Sequence, residues 1–175
     1  MNRYRKATLQ DVDAIVELVE SAYRGEASRA GWTTEADLLD GQRTDADEVS
    51  RLIQQEDSLI LMCERNGVLA ASVHLHKKPD STYLGMFAVQ PGLQGGGIGR
   101  CLLTEAEQYV LNEWQCRLLR MLVISQRKEL VAWYQRRGYR ATGKMVPFPY
   151  GDARYGLPRR DDLVLMILEK RLIQP

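Results

Sequence analysis

The stretch Gln94-Gly95-Gly96-Gly97-Ile98-Gly99-Arg100 sets four glycines into five positions, between a strand-like run and a helix-like one. Glycine reaches backbone conformations closed to other residues and lets main-chain N–H groups approach a ligand with no Cβ in the way. The start of a helix adds unpaired N–H donors and a partial positive charge. Together these properties predict a phosphate-binding bend at a strand-to-helix junction. A chain built around such a junction is restricted to architectures in which strands feed helices, the mixed α/β class.

The flanking pattern extends this unit over the whole chain. Residues 4–7 read as a short strand, and Thr8 with Asp11 three positions on supplies a helix start. Val12, Ile15, Val16, Val19 and Tyr23 then recur at helical spacing. A short helix is expected at about residues 34–39, and another from Thr44 or Asp45, with Val49, Leu52 and Ile53 on one face. Residues 58–65 and 68–78 are strand-like and joined by Asn66-Gly67, the dipeptide of a type I′ hairpin turn. In a third central strand, Tyr83, Gly85, Phe87 and Val89 alternate with Leu84, Met86 and Ala88. Beyond the bend come a helix carrying Ile98, Leu102, Leu103, Ala106 and Tyr109, a strand at 117–125, and a helix at 128–137 ended by Gly138. Strands near 139–146 and 162–169 enclose a loop at 147–158. No repeat or linker interrupts the series, so a single domain spanning residues 1–175 is expected.

Composition removes several function classes. Twenty-four basic against 23 acidic residues leave a formal charge of +1, which gives no footprint for nucleic acid or an anionic membrane. The apolar runs at 59–63 and 163–168 are too short to span a bilayer. The three cysteines, Cys63, Cys101 and Cys116, are scattered and lack C-x-x-C spacing, which fits a reducing compartment. A cytoplasmic protein with no metal centre is the expectation.

The bend itself fits neither common nucleotide loop. A dinucleotide fingerprint needs a third glycine where this chain has Arg100 or Leu102, and it belongs near the first strand. A Walker loop needs Gly-Lys-Ser/Thr, where this chain has Gly99-Arg100-Cys101. Gln94-x-x-Gly97-x-Gly99 instead resembles the Q/R-x-x-G-x-G/A signature of the GNAT superfamily of acyl-CoA-dependent N-acyltransferases. Phe87-Ala88-Val89-Gln90-Pro91 before it and Ile98-Gly99-Arg100-Cys101-Leu102-Leu103 after it fit the same family. So does Trp133-Tyr134-Gln135-Arg136-Arg137-Gly138-Tyr139, a helix with a tyrosine followed by a Gly-aromatic pair. The order of elements agrees over nearly the whole chain. The resemblance implies an α/β fold of the α+β type. It would have a mixed, mostly antiparallel sheet of about six or seven strands, helices on both faces, and a splayed central parallel pair.

The resemblance also implies a reaction, in which the acetyl group of acetyl-CoA passes directly to a primary amine of a small molecule or protein. Main-chain amides from Gln94, Gly95, Gly96, Gly97, Ile98, Gly99 and Arg100 would hold the diphosphate, and the edge of Phe87, Ala88 and Val89 would pair with the pantetheine. Tyr134 is the candidate acid for the departing thiolate, since a phenol keeps its proton at neutral pH. The alternative for Tyr134 is a core position. Trp32, Glu35, Tyr150 and Arg154 lie in segments that border the acceptor in the family, and Arg154 there would suit a carboxylate; Tyr83, on the third central strand, is a further candidate for the acceptor site. His74 and His76 share a strand face, and Glu26 lies in the helical region; each is a weaker candidate for a base. Where many members have asparagine seven residues before the tyrosine, this chain has Arg127, with Ser125 and Gln126 beside it. Two other readings stay open: a catalytically weak acyl-CoA sensor, and an enzyme for longer acyl groups. A homodimer is common in the family, and nothing in the sequence marks an interface.

Overall fold

The computed structural model describes residues 1–173. Its elements in chain order are β1 (Asn2–Lys6), α1 (Val12–Tyr23), β2 (Leu39–Asp40), α2 (Ala46–Gln54), β3 (Ser58–Arg65), β4 (Val68–Lys77) and β5 (Thr82–Val89). They continue as α3 (Ile98–Asn112), β6 (Leu118–Ile124), α4 (Lys128–Gln135), β7 (Arg140–Pro147), β8 (Leu157–Pro158) and β9 (Val164–Arg171). Seven strands form one sheet in the order β1-β3-β4-β5-β6-β9-β7, and β5–β6 is its parallel pair. This is the mixed, mostly antiparallel sheet expected. The β3–β4 turn has positive φ at both Asn66 (54°) and Gly67 (79°), as a type I′ turn requires.

Strand alternation divides the core between the two faces. Leu59, Leu61 and Cys63 of β3 pack with Ile98, Leu102, Leu103 and Ala106 of α3. Ile60 and Met62, one step out of phase, pack with Ile15, Val19 and Val49 of α1 and α2. The helix pairs therefore cover opposite sides of the sheet.

Two details depart from the sequence reading. The first is in β5, which does not alternate evenly. Leu84 joins the α3 face, whereas Met86 and Ala88 join the α1 face and Val89 returns to the α3 face. A bulge explains the switch: Val73 alone of β4 spans the interval opposite Met86 and Phe87, and Met86 has φ 45°. The second is at 34–39, where no helix forms. Thr34 Oγ1 accepts from the Ala36 N–H, and the chain turns and ends in β2, which pairs with β8. The Glu35 side chain is drawn inward to two arginines. These tertiary partners outweigh a weak local helix preference.

The bulge also positions the site. β5 and β6 are in register only at Thr82–Leu119 and Tyr83–Arg120, their N-terminal ends. Past this point the bulge bends β5 away from β6 and opens a V-shaped gap in the sheet.

Candidate active site

Two connected cavities occupy the gap. The outer cleft, of about 770 Å³, runs between the glycine bend and α4. The inner cavity, of about 320 Å³, lies between the diverging strands. Tyr23, Phe87, Arg127 and Leu130 line both, so the two meet at this point.

The bend forms the floor of the outer cleft. Gly95 and Gly97 have φ of 84° and 85°, conformations that a residue with a Cβ adopts only with strain. Gly97 is the N-cap of α3; no side chain caps the helix, and no carboxylate lies in its first turn. The first helical bond runs from the Cys101 N–H to the Gly97 carbonyl, which leaves the earlier N–H groups free for a ligand. Gly95, Gly96, Gly97, Gly99 and Arg100 all line the cleft, while the Ile98 side chain is buried in the core. Arg100, Arg127, Arg136 and Arg137 face the same space with a single carboxylate, Glu129. Burial and the neighbouring Arg136 and Arg100 cations hold Arg137 below the ordinary arginine range, and its Nε is buried without a partner. Such a cationic cluster fits a polyanionic ligand.

Gln94 takes a different part from the one its place in the signature suggests. Its side-chain oxygen accepts from the N–H groups of Trp32 (2.8 Å) and Thr33 (3.3 Å), and its amide nitrogen donates to Thr33 Oγ1 and the Val89 carbonyl. The side chain thus ties the 32–33 segment to β5, leaving only its main chain for a ligand. Trp32 lies in the outer cleft, 6.3 Å from the Trp133 ring, and not in the inner cavity. Phe87 and Val89 line the outer cleft, but Ala88 points into the α1 core. The Phe87 carbonyl accepts the Tyr23 hydroxyl.

Tyr134 lines the inner cavity from α4. Its ring packs edge-on against Trp133 (5.0 Å) and Tyr139 (5.6 Å). Its hydroxyl has no hydrogen-bond partner among the described residues. Burial raises its pKa far above 10, although the Arg127 cation works in the opposite direction. The phenol is therefore fully protonated at neutral pH. The residue is packed in the core cluster and also lines the inner cavity.

Among the sequence candidates, Glu35, Tyr83 and His74 reach the inner cavity. Glu35 is bridged by Arg24 on one oxygen and Arg127 (2.8 Å) on the other. Burial alone would raise its pKa, but Arg127 and Arg24 outweigh it and keep the carboxylate charged. Its oxygens are occupied, so it is a structural anion and not a free base. The Tyr83 ring folds back over Gly85, where an added Cβ would come within 2.6 Å of it. His74 Nε2 lies 2.8 Å from Ser58 Oγ, and that hydroxyl donates to the Leu52 carbonyl. Burial, then His76, pushes His74 down to about 4.

Tyr150 and Arg154 do not reach either cavity. The Tyr150 hydroxyl ties the Arg160 carbonyl to the Leu163 N–H, and Arg154 is exposed and paired with Asp152. Phe148 and Tyr155 of the same loop line the inner cavity instead. Glu26 pairs with Arg29 at the surface, and His76 faces outward beside Gln55 and Lys78. Ser125 meets Gln126 and caps no helix.

Tyr23, Arg24 and Arg43 also line the inner cavity, and the sequence reading did not single them out. Tyr23 read as the last apolar residue of α1, and the two arginines carried no motif. Arg127, the departure from the family's asparagine, latches the 33–35 segment through Glu35 and the Thr33 carbonyl. Among the described residues, no cluster of His, Cys, Asp and Glu could hold a metal, and no helix is long and apolar enough to cross a membrane.

Comparison with known proteins agrees with this architecture. The sequence profile of the Acetyltransferase (GNAT) family matches residues 13–139. S-alkylcysteine N-acetyltransferase of Bacillus subtilis (strain 168) is 30% identical over 146 residues, covering 78% of this chain and 77% of the relative. The ribosomal-protein-S18-alanine N-acetyltransferase from Escherichia coli superposes with a TM-score of 0.72 at 18% identity, over 100% of this chain and 96% of that one. An N-acetyltransferase from Staphylococcus aureus Mu50 gives 0.74 at 14% identity, over 99% of both chains. A profile covering most of the chain, together with a relative of this identity and coverage, settles the assignment: the protein is an acyltransferase and belongs to the Acetyltransferase (GNAT) family.

Proposed function

We propose that the protein transfers the acetyl group of acetyl-CoA to a primary amine of a small molecule held in the inner cavity. The observation that carries this reading is the junction of the two cavities. A cationic cleft ending in a glycine bend suits the diphosphate, and its inner end opens beside Tyr134 into a chamber of about 320 Å³. Acyl group and acceptor must share that chamber, which is at the small end for ligand sites and favours acetyl over longer chains.

The chemistry follows from the lining. The neutral amine attacks the thioester carbonyl carbon, forming a C–N bond. In this reading a strand N–H of β5 near its bulge, around Phe87, is the donor to the developing oxyanion. As the C–S bond breaks, the Tyr134 phenol donates to the departing sulfur; the proton lost by the amine restores the phenol. Arg127 stands near the phenol and eases its loss of the proton. Placing thioester and amine together supplies much of the rate. The Bacillus relative acetylates an amino acid's amine by its name, which supports a small-molecule acceptor over a protein.

The test is thiol release from acetyl-CoA across a panel of amines, with the acetylated product identified by mass. Amine-dependent release with one product per acceptor supports the reading. Tight coenzyme A binding with release no faster than hydrolysis for every amine would instead make the protein an acyl-CoA sensor.

A further inference from the structure

The inner cavity holds one cation that no carboxylate pairs with directly, although Glu35 and Glu48 act on it across space. Arg24 and Arg127 share Glu35 between them. Arg43, on the segment leading into α2, lines the same cavity, yet its guanidinium has no hydrogen bond or ion pair among the described residues. Its protein contact is with the face of the Tyr23 ring, 5.6 Å from guanidinium carbon to ring centre. Glu48 is nearby, but its carboxylate accepts from Thr44 Oγ1 at 2.7 Å and does not bridge to Arg43. Three arginines thus face two carboxylates in the cavity.

An enclosed guanidinium with its planar set of donors unpaired is suited to a carboxylate, which it binds through two parallel hydrogen bonds. An enclosed cation also disfavours a second ammonium, and so a polyamine. The position fixes the geometry. Tyr23 carries Arg43 on its ring face and donates its hydroxyl to the Phe87 carbonyl beside the cavity junction. Arg43 therefore lies over the same ring as Arg127, which is 5.5 Å from its centre, and that ring's hydroxyl reaches the junction where the proposed thioester would enter. Leu39, Leu52, Met121, Ile124, Phe148 and Leu165 make the remaining wall apolar.

We propose that the acceptor is an α-amino acid with an uncharged, apolar side chain, and that Arg43 binds its carboxylate. This rests on the acetyltransferase reading above and names the substrate class for that cavity. It also replaces Arg154, whose guanidinium is turned to Asp152 at the surface, as the residue that reads the carboxylate.

The test compares S-methyl-L-cysteine with its carboxamide as acceptors for the wild-type protein, Arg43→Gln and Arg43→Lys. A charge-assisted contact of this type gives the wild type about a 10- to 100-fold higher kcat/KM for the acid than for the amide. Arg43→Gln brings the ratio near one, chiefly through KM, and Arg43→Lys restores it in part. Melting curves check that each variant is folded. Amine turnover with no preference for the acid in the wild type, or a preference unchanged in Arg43→Gln, overturns the assignment to Arg43 and leaves the acetyltransferase reading intact. Should no amine be turned over, calorimetry of S-methyl-L-cysteine into the coenzyme A-loaded protein still decides: binding lost in Arg43→Gln supports the assignment, and absence of binding to the wild type refutes it.

Discussion

Replacing Tyr134 by phenylalanine separates chemistry from packing at the centre of the site. The change removes one oxygen, and that oxygen has no protein partner among the described residues. The edge-on contacts with Trp133 and Tyr139 persist, since they belong to the ring; each such contact is worth about 0.5–1.5 kcal/mol. Folding stability is therefore expected to change by about 0.5 kcal/mol or less. Loss of a positioned general acid lowers turnover by about 100- to 10,000-fold, or about 3–5 kcal/mol in the barrier. Because burial holds the wild-type phenol protonated well past its ordinary value, the deficit should be constant from neutral to mildly alkaline pH. The assay is steady-state thiol release at saturating acceptor, with coenzyme A affinity by calorimetry and melting temperature measured on the same samples. Undiminished kcat would remove Tyr134 from the mechanism. A melting temperature lowered by many degrees would show instead that the hydroxyl supports the core, contrary to its lack of a partner.

The other expectations concern the bend and the buried histidine. Gly96 lacks a positive φ, and its added Cβ would touch only the Leu93 carbonyl oxygen at 3.5 Å, so Gly96→Ala should fold normally; Gly97→Ala, at φ 85°, should lose about 1–2 kcal/mol of stability. Both should weaken coenzyme A binding by about tenfold or more, because a methyl group holds the diphosphate off the amides; affinity unchanged in both variants would move the diphosphate away from the bend. For His74, the folded value of about 4 lies below the ordinary 6.5, so between these values the unfolded chain binds more protons and stability falls as pH falls. The difference corresponds to about 3 kcal/mol, and chemical denaturation of His74→Gln should show a shallower decline over that window than the wild type; identical slopes would refute the account.

Legibility in the sequence followed the range of the interactions involved. Strands, hairpin and helices announced themselves through local periodicity and turn residues, as at Asn66-Gly67. The glycine bend was equally legible, since Gly95 and Gly97 adopt backbone conformations that few other residues supply. The inner cavity was not. It is assembled by Arg24 and Arg43 around α1 and α2, by β5 after its bulge, and by Phe148 and Tyr155 from a distant loop. Proximity in the chain misled for Tyr150 and Arg154, which lie in the right loop and face the wrong way. The bulge at Met86 has the same origin: regular alternation says nothing of a residue inserted into one strand, and it is this insertion that parts β5 from β6.

The composition of the inner wall bears on how the acyl group moves. A relay through the protein would need a side-chain nucleophile facing both the thioester and the acceptor. Among the described residues, no cysteine, serine, threonine or lysine lines the inner cavity, and none of Cys63, Cys101 and Cys116 reaches either cavity. Of the two carboxylates that line the inner cavity, Glu35 has its oxygens held by arginines and Glu48 accepts from Thr44 Oγ1, while the His74 ring is hydrogen-bonded to Ser58. Tyr134 and Tyr23 are kept protonated by burial. What the wall does supply is position: Gln94 and Arg127 pin the 32–35 segment against β5 and α4, and Tyr23 fixes the Phe87 carbonyl at the junction. A site poor in nucleophiles and rich in fixed geometry favours attack by the amine on the thioester with both substrates bound together. Arginine at position 127 belongs to this arrangement, because a shorter asparagine there would reach neither Glu35 nor the Thr33 carbonyl in the same way.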